Sequence, residues 1–358
     1  MSQRYLSLAK KYSSLLLGND EVKKEDEHKH LGMILDSKLN FQSHIRAAIL
    51  KARRGIGLIR YLSKYVSRNV LNLTYKLYVR PHLDYGDLLY HRYDPEMRLG
   101  FTQKLEQTQY SAALAVSGAW RGTNRQRLYD ELGWETLYNR RWYRRLCHFF
   151  NLKNNQLPEY LFNLIPAERQ TNYDLRNQRI YTPSVSRTVR FSNTYFSNAP
   201  YEWNLLDRDI RSSKSIAEFK RKLLSKIRPA ENSVYNIYDI EGVRILTKLR
   251  LKFSALNEHR FRHRFNIVSP LCNCGTANED SKHFLLHCPM FYHLRRNLLG
   301  QLSEILSMDV SNFDDDFVCS LMLYGNSELP YIVNRMILEA TLEYIKSSRR
   351  FVSLDYEN

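Results

Sequence analysis

Two short apolar runs open the chain, one from Ser14 to Val22 and one from His30 to Leu35, set around a turn-forming Gly18-Asn19-Asp20, and they predict hairpin strands. From Phe41 the apolar period lengthens to that of a helix. Ile45 and Ile49 share a face, and Ile56 and Ile59 continue it beyond Arg53 and Arg54. A second helix is expected from Ser67 with Leu73 and Leu77 on one side, interrupted near Pro81, which removes a backbone donor and restricts Arg80. A third should cover about Leu105 to Val116. Thr123-Asn-Arg-Gln126 reads as a capping box for a helix closed by Gly133. Leu137 to Leu152 continues helical, with Trp142, Leu146, Phe149 and Phe150 on one side and Arg141, Arg144 and Arg145 on another. The polar stretch Asn172 to Ser197 reads as a loop with short strands near Arg179 to Thr182 and Thr188 to Phe191. Ser215-Ile-Ala-Glu218 is a second capping box, followed by Phe219, Leu223 and Ile227 until Pro229 stops the run. Leu246, Leu249, Phe253 and Leu256 mark a further helix, and Val333, Ile337, Ala340 and Tyr344 a last one. The fold class is mainly α with an N-terminal β-hairpin, and no internal repeat is visible.

Composition narrows the partners. A chain of 358 residues can hold two or three domains. Lys and Arg number 54 against 37 acids, a net charge of +17 that favours polyanions through phosphate contacts and counterion release. The apolar stretches fall short of the roughly 20 residues that span a bilayer, and Met1-Ser-Gln-Arg is not followed by an apolar signal core, so an intracellular chain without membrane partners is expected, in nucleus or cytoplasm. Five cysteines make no disulfide framework, which fits a reducing compartment, and three crowd between positions 272 and 288.

That crowding is the strongest local signal. Cys272, Cys274, His283 and Cys288 spell C-x-C-x8-H-x4-C. Three thiolates and an imidazole suit a tetrahedral Zn²⁺, and without a partner carboxylate the site should be structural and closed rather than catalytic. Gly275 permits a tight turn beside the ion. Buried thiols next to a surface histidine would produce the same spacing, the one-residue gap is tighter than usual for a knuckle, and His287 and His293 are substitute ligands. Cys147 and Cys319 lie in apolar runs and read as core residues.

Basic and aromatic residues interleave in two places. Lys51, Arg53, Arg54, Arg60, Lys64 and Arg68 lie with Tyr61 and Tyr65, and Arg60, Lys64 and Arg68 recur at four-residue spacing as if on one face. Arg260, Arg262 and Arg264 alternate with Phe261, His263 and Phe265 before the cysteine cluster. Such clusters neutralise phosphates and stack bases, and a solvated surface is the plainer reading of any one residue. His259 and His263 could share a metal, but no third ligand stands near them.

Enzyme signatures are missing. There is no phosphate-binding G-x-x-x-x-G-K-S/T loop, no G-x-S-x-G elbow and no H-E-x-x-H helix. Two-metal chemistry needs clustered carboxylates. Asn312-Phe-Asp-Asp-Asp-Phe317 reads as an acidic loop or helix start, Asp84 and Asp87 have the wrong spacing, and Asp36 has no partner.

The order K-H-L-G-M-I-L-D-S-K-L from Lys29, K-A-R-R-G-I-G-L-I-R from Lys51 and Y-V-R-P-H-L-D-Y-G from Tyr78 resembles the non-LTR (LINE-type, jockey-like) retrotransposon reverse transcriptases. Gly118-Ala-Trp-Arg-Gly-Thr123, Glu202-Trp-Asn-Leu205, Phe219-Lys-Arg-Lys-Leu223, Leu249-Arg-Leu251 and H-F-L-L-H-C-P from His283 extend the likeness over nearly the whole chain. The resemblance implies a palm remnant over 1–40 with His30, Leu31 and Gly32 as primer grip, a helical thumb over 41–120, a helical connection over 121–245, a basic helix and zinc knuckle over 246–300, and a C-terminal helical segment over 301–358. It implies RNA and template-primer duplex as partners, with target DNA a further candidate, and zinc ligation by the four clustered residues. The catalytic palm with its aromatic-x-Asp-Asp strand turn, and the endonuclease, would lie before Lys29. The expectation is therefore a C-terminal third of an RNA-directed DNA polymerase, inactive alone, with Mg²⁺ belonging to the parent enzyme only. A stand-alone nucleic-acid-binding protein or a decayed fragment is the alternative, and the oligomeric state is left open.

Overall fold

A computed structural model describes residues 15–91, 100–169, 180–182, 188–192, 194–227 and 233–351. The expectations for Met1 to Arg4, for Ser14, for 172–179 and for Pro229 lie outside the described residues. The chain divides into two compact units, 1–48 and 49–358, and is mainly helical.

The first unit holds two hairpins. β1 (Leu15–Leu17) pairs antiparallel with β2 (Asp20–Val22) across Gly18-Asn19, and β3 (Glu27–His30) pairs with β4 (Met33–Asp36), His30 opposite Met33. His30 to Leu35 is thus not one strand. Leu31 (φ 45°) and Gly32 (φ 84°) both take left-handed backbone and reverse the chain, as a two-residue hairpin turn requires. After β4 the Asp36 carboxylate accepts the amide hydrogens of Lys38 (3.0 Å), Asn40 (3.0 Å) and Phe41 (2.7 Å), ordering the entry into α1 (Gln42–Leu62).

In the second unit α1 buries Ile49, Ala52, Ile56 and Ile59 along one stripe. Gly55 sits where α1 passes the end of α2 (Arg68–Tyr78): a Cβ there would stand 2.7 Å from the Tyr78 carbonyl oxygen. On α2 the buried apolar positions are Leu71 and Tyr75, while the expected Leu73 and Leu77 are 55% and 60% exposed. Both pairs satisfy helical spacing. Tyr75 wins because its ring stacks on Trp134 with centroids 3.7 Å apart and its hydroxyl donates to Gln109 Oε1 at 2.8 Å. Two short helices, Arg80–Asp84 and Asp87–Tyr90, follow a break at Val79, and Pro81 sits in the first turn of the first of them.

Next come α3 (Gly100–Ser117), α4 (Arg125–Leu132) and α5 (Leu137–Lys153). The N-cap of α4 is Asn124, whose Oδ1 accepts from Arg127 N at 3.1 Å. Thr123 is not the cap, since its hydroxyl donates to the Trp120 carbonyl at 2.7 Å. Thr136 caps α5 by accepting from Asn139 N at 3.1 Å. The sequence pattern put Arg141 and Arg145 on a polar face, yet Arg140, Arg141 and Arg145 are all buried. Asp84 and Gln109 take Arg140, the Leu83 carbonyl takes Arg141 at 2.9 Å, and Glu202 takes Arg145 at 3.1 Å.

Of the expected strands after α5, Tyr181 makes a single bridge to Glu168. Thr188 to Phe191 is not a strand: Thr188 Oγ1 accepts from Phe191 N at 3.2 Å and starts a short helix, Val189–Ser192, with α6 (Tyr195–Asn204) after it. The second capping box forms, Ser215 Oγ accepting from Glu218 N (3.2 Å) and Glu218 from Lys214 N (3.0 Å), and it opens α7 (Ile216–Ile227). Leu146, Phe149 and Phe150 of α5, Trp203 of α6, and Phe219 and Leu223 of α7 make one core. Its rings stack, Phe150 on Phe219 at 4.8 Å, and each side chain so buried is worth about 1.5–3 kcal/mol.

A second core runs from Val234 to Phe351, across the expected borders at 245/246 and 300/301. It is built by α8 (Ile240–Arg250), α9 (Tyr292–Leu306), α10 (Asp315–Tyr324) and α11 (Tyr331–Ser347). Leu246 and Leu249 lie on α8, capped by Asp239, but Phe253 and Leu256 come after it, because Lys252 turns left-handed (φ 52°) and ends the helix. Among the described residues no helix is long and apolar enough to cross a membrane.

Candidate metal centre and cationic surface

Between α8 and α9 the chain folds tightly enough to gather four ligand atoms. Cys272 N donates to the Ala277 carbonyl and Gly275 N to the Cys272 carbonyl, both at 2.9 Å, while Leu271 bridges Asn278. Gly275 takes φ +75°, a conformation that costs a side-chain-bearing residue energy, so this turn favours glycine. The second half is a π-helical turn, His283–His287, in which Cys288 N donates to the His283 carbonyl five residues back at 2.7 Å. That wider turn sets His283 and Cys288 towards the same point. Its other side is anchored in the core: Phe284 and Leu285 are fully buried, and the Phe284 carbonyl accepts from Tyr344 OH at 2.6 Å. Arg295 Nη1 holds the Cys288 carbonyl at 2.8 Å, and Asp280 holds His283 N at 2.7 Å.

Cys272 Sγ and Cys288 Sγ stand 3.7 Å apart, Cys274 Sγ and His283 Nε2 3.3 Å apart, and all four ligand atoms lie within 4.8 Å of one another. These residues could hold a metal ion. Among the described residues no other group of three or more His, Cys, Asp or Glu side chains comes together in this way. Burial pushes the Cys272 thiol up to about 12 and raises that of Cys288, whereas the Thr276 hydroxyl, with His283 among its neighbours, brings Cys274 down to about 6. A cation must therefore displace protons from Cys272 and Cys288, so affinity should fall in acid. Of the substitute ligands, His287 instead faces Asp315 at 3.2 Å, and neither it nor His293 belongs to the cluster. The aspartate run is a helix start: Asp314 caps α10 by accepting from Asp316 N at 3.0 Å, and Asp316 pairs with Lys282 at 2.8 Å.

The cationic candidates separate. Lys51, Arg53, Arg54 and Arg60 are exposed on α1, and Lys64 is exposed in the turn after it, where Tyr61 and Tyr65 are 67% and 66% exposed with ring centroids 5.6 Å apart. Arg68 does not share their face. α1 ends at Leu62, the chain turns, and Arg68 points inward to Glu131 at 2.6 Å, where Arg250 joins it at 3.0 Å. In the second cluster Arg264 is exposed, Arg260 is half-buried, and Arg262 pairs with Glu258. Phe265 packs against Trp120 and Phe253 (5.7 and 5.6 Å), so its ring serves structure. His259 is buried against Ser254 Oγ (2.8 Å), and burial holds it at about 4, a neutral core histidine that does not face a shared ligand with exposed His263. His30, Leu31 and Gly32 form the tip of the β3–β4 hairpin, with Leu31 80% exposed.

The acidic pairs are structural. Asp84 is buried among arginines: burial alone would raise its carboxyl, but Arg140, then Arg144 and Arg80, outweigh it and hold it low. Arg145 passed for surface charge in the sequence, and Arg140 drew no notice there; only their partners Glu202 and Asp84, far along the chain, distinguish them, and no local signal does. No protein-family model, curated protein or solved structure matches the chain.

Proposed function

We propose that this chain is a nucleic-acid-binding protein of reverse-transcriptase descent, the C-terminal part of a non-LTR retrotransposon polymerase, with α1 to α3 as the thumb and residues 272–288 as a zinc knuckle. One observation carries the reading: α1 has five cations and no carboxylate over its 21 residues, and Lys51, Arg53, Arg54 and Arg60 all reach solvent, as do Tyr61 near its end and Tyr65 just after it. A helix whose exposed cations have no compensating acid gains counterion-release free energy on a phosphate backbone, and exposed Tyr61 and Tyr65 can stack bases. The Arg264 segment and the hairpin tip at His30 to Gly32 are further contacts under this reading.

Zinc is the metal that fits. A Zn–S bond of about 2.3 Å in a regular tetrahedron demands sulfurs about 3.8 Å apart, against 3.7 Å between Cys272 and Cys288. Three thiolates and one imidazole leave no open position, so the ion would hold the turn together rather than act on a substrate. Polymerase chemistry is not part of the proposal for this chain.

The test is a pair of measurements on the purified chain. Metal analysis should return close to one zinc per molecule, lost on Cys288→Ser. Fluorescence anisotropy with an RNA oligonucleotide should give a binding constant that falls linearly with salt on logarithmic axes. Salt-independent binding, or none, defeats the reading. Primer extension that is abolished by a chelator and survives repurification would contradict the inactive-alone part.

A further inference from the structure

Arg53, Ile56 and Arg60 of α1 face Lys104, Gln107 and Ser111 of α3 across a groove of about 270 Å³, with Thr108 beneath. Its floor is closed, Ile56 being 2% and Thr108 5% exposed, while Arg53, Arg60 and Lys104 reach solvent. Among the described residues no carboxylate lies within ion-pair distance of these three cations. The other polar groups also offer donors. Gln107 Oε1 accepts from Arg125 Nη2 at 3.4 Å, which leaves its amide hydrogens for an acceptor. The Thr108 and Ser111 hydroxyls donate to the Lys104 and Gln107 carbonyls at 2.8 and 2.9 Å and add no charge. Three cations and an amide donor around a groove with no acid give it the chemistry to receive an anion.

We propose that this groove is the track for consecutive phosphodiesters of a single RNA strand, with Lys104 as a contact that no sequence motif singles out. The proposal rests on the nucleic-acid-binding reading and assigns it a place. The layout favours a polymer over a lone ion. Arg53 and Arg60 are seven residues apart, about 10.5 Å of helical rise, so the charges line the groove lengthwise instead of converging on one point. Lys104 supplies the opposite wall, as neighbouring phosphates of one strand require. Each phosphate neutralised on a single strand contributes about 0.7 to the slope of log K against log salt.

The experiment uses the full chain and a fluorescein-labelled single-stranded oligoribonucleotide, titrated over a range of KCl. Lys104→Gln should reduce the slope by about 0.7, and Ser111→Glu, which sets a carboxylate in the groove, should weaken binding further. Lys220→Gln, an exposed cation on α7, is the control and should leave the slope unchanged. Thermal melts check that each variant folds. If the wild-type chain binds RNA but Lys104→Gln and Ser111→Glu behave as Lys220→Gln, the groove proposal is overturned and the broader reading stands. If the wild-type chain binds no RNA, both fall. A second arm adds inorganic phosphate at matched ionic strength. Failure to displace RNA is expected; displacement that vanishes in Lys104→Gln would make the groove a small-anion site and overturn the strand assignment.

Discussion

Helices α1 and α5 carry arginine at similar density, and a reader of the sequence alone would assign both to a solvated basic face. α1 keeps Arg53, Arg54 and Arg60 in water, with no acid on the helix, whereas α5 sinks Arg140, Arg141 and Arg145 into the protein. The difference lies in what packs opposite. The α5 arginines meet Asp84, the Leu83 carbonyl and Glu202, supplied by segments some 60 residues away on either side. A buried guanidinium persists where an acid pairs its charge, since an unpaired buried charge costs several kcal/mol. Thus equal charge serves the interior in one helix and the surface in the other.

The comparison breaks most visibly at Arg145. Arg145→Ala leaves Glu202 buried without its cation and should cost about 3–5 kcal/mol in urea unfolding, while Arg145→Met combined with Glu202→Leu should recover most of it. Arg54→Ala should shift stability by less than about 0.5 kcal/mol. Equal costs at both positions would mean that the two helices do not differ as described.

Acid sharpens the contrast. The Asp84 carboxyl is held below its ordinary 3.8 in the folded chain, so its contribution is complete above that value and is lost as pH falls through the folded pKa. Asp84→Asn should therefore cost about 3 kcal/mol near neutrality, through the stranded Arg140. The gap between wild type and variant should close in melts taken well below pH 3.8. A gap that persists unchanged into strong acid would show that the pair is not what the substitution removes.

The inward side of α1 can be probed separately from its surface. Gly55→Ala drives a methyl against the Tyr78 carbonyl and should destabilise by about 1–3 kcal/mol, despite the better helix propensity of alanine. Gly57, where a Cβ would meet nothing within 4 Å, should gain slightly from the same change. The smallest effects belong to the exposed cations. Lys51→Ala or Arg54→Ala should leave the melting temperature unaltered and lower RNA affinity by only a few fold, visible chiefly as a reduced salt slope.

Legibility followed the range of the interactions. The helix over Ile216–Ile227 was readable because its cap, its stripe of Phe219 and Leu223 and its box residues all lie within a dozen positions. The clustering of Cys272, Cys274, His283 and Cys288 was readable for the same reason: candidate ligands crowded into a short span, with a glycine where the turn needs one. The α2 face was misread because Leu71 with Tyr75 and Leu73 with Leu77 are equivalent until Trp134 and Gln109 arrive to choose between them. Arg68 was misread because a four-residue spacing means one face only while the helix continues, and α1 stops at Leu62. Lys104 left no mark, being one lysine on a helix of mixed pattern.

By itself, then, the sequence determined that the chain is helical and strongly basic and that it crowds three cysteines and a histidine into a short span, because periodicity, net charge and short spacings are local or additive properties. Tertiary structure alone decided which cations are buried and which meet water, and which leucines form the core. Those outcomes depend on desolvation and on partners that folding brings from distant positions, and no single stretch of sequence contains them.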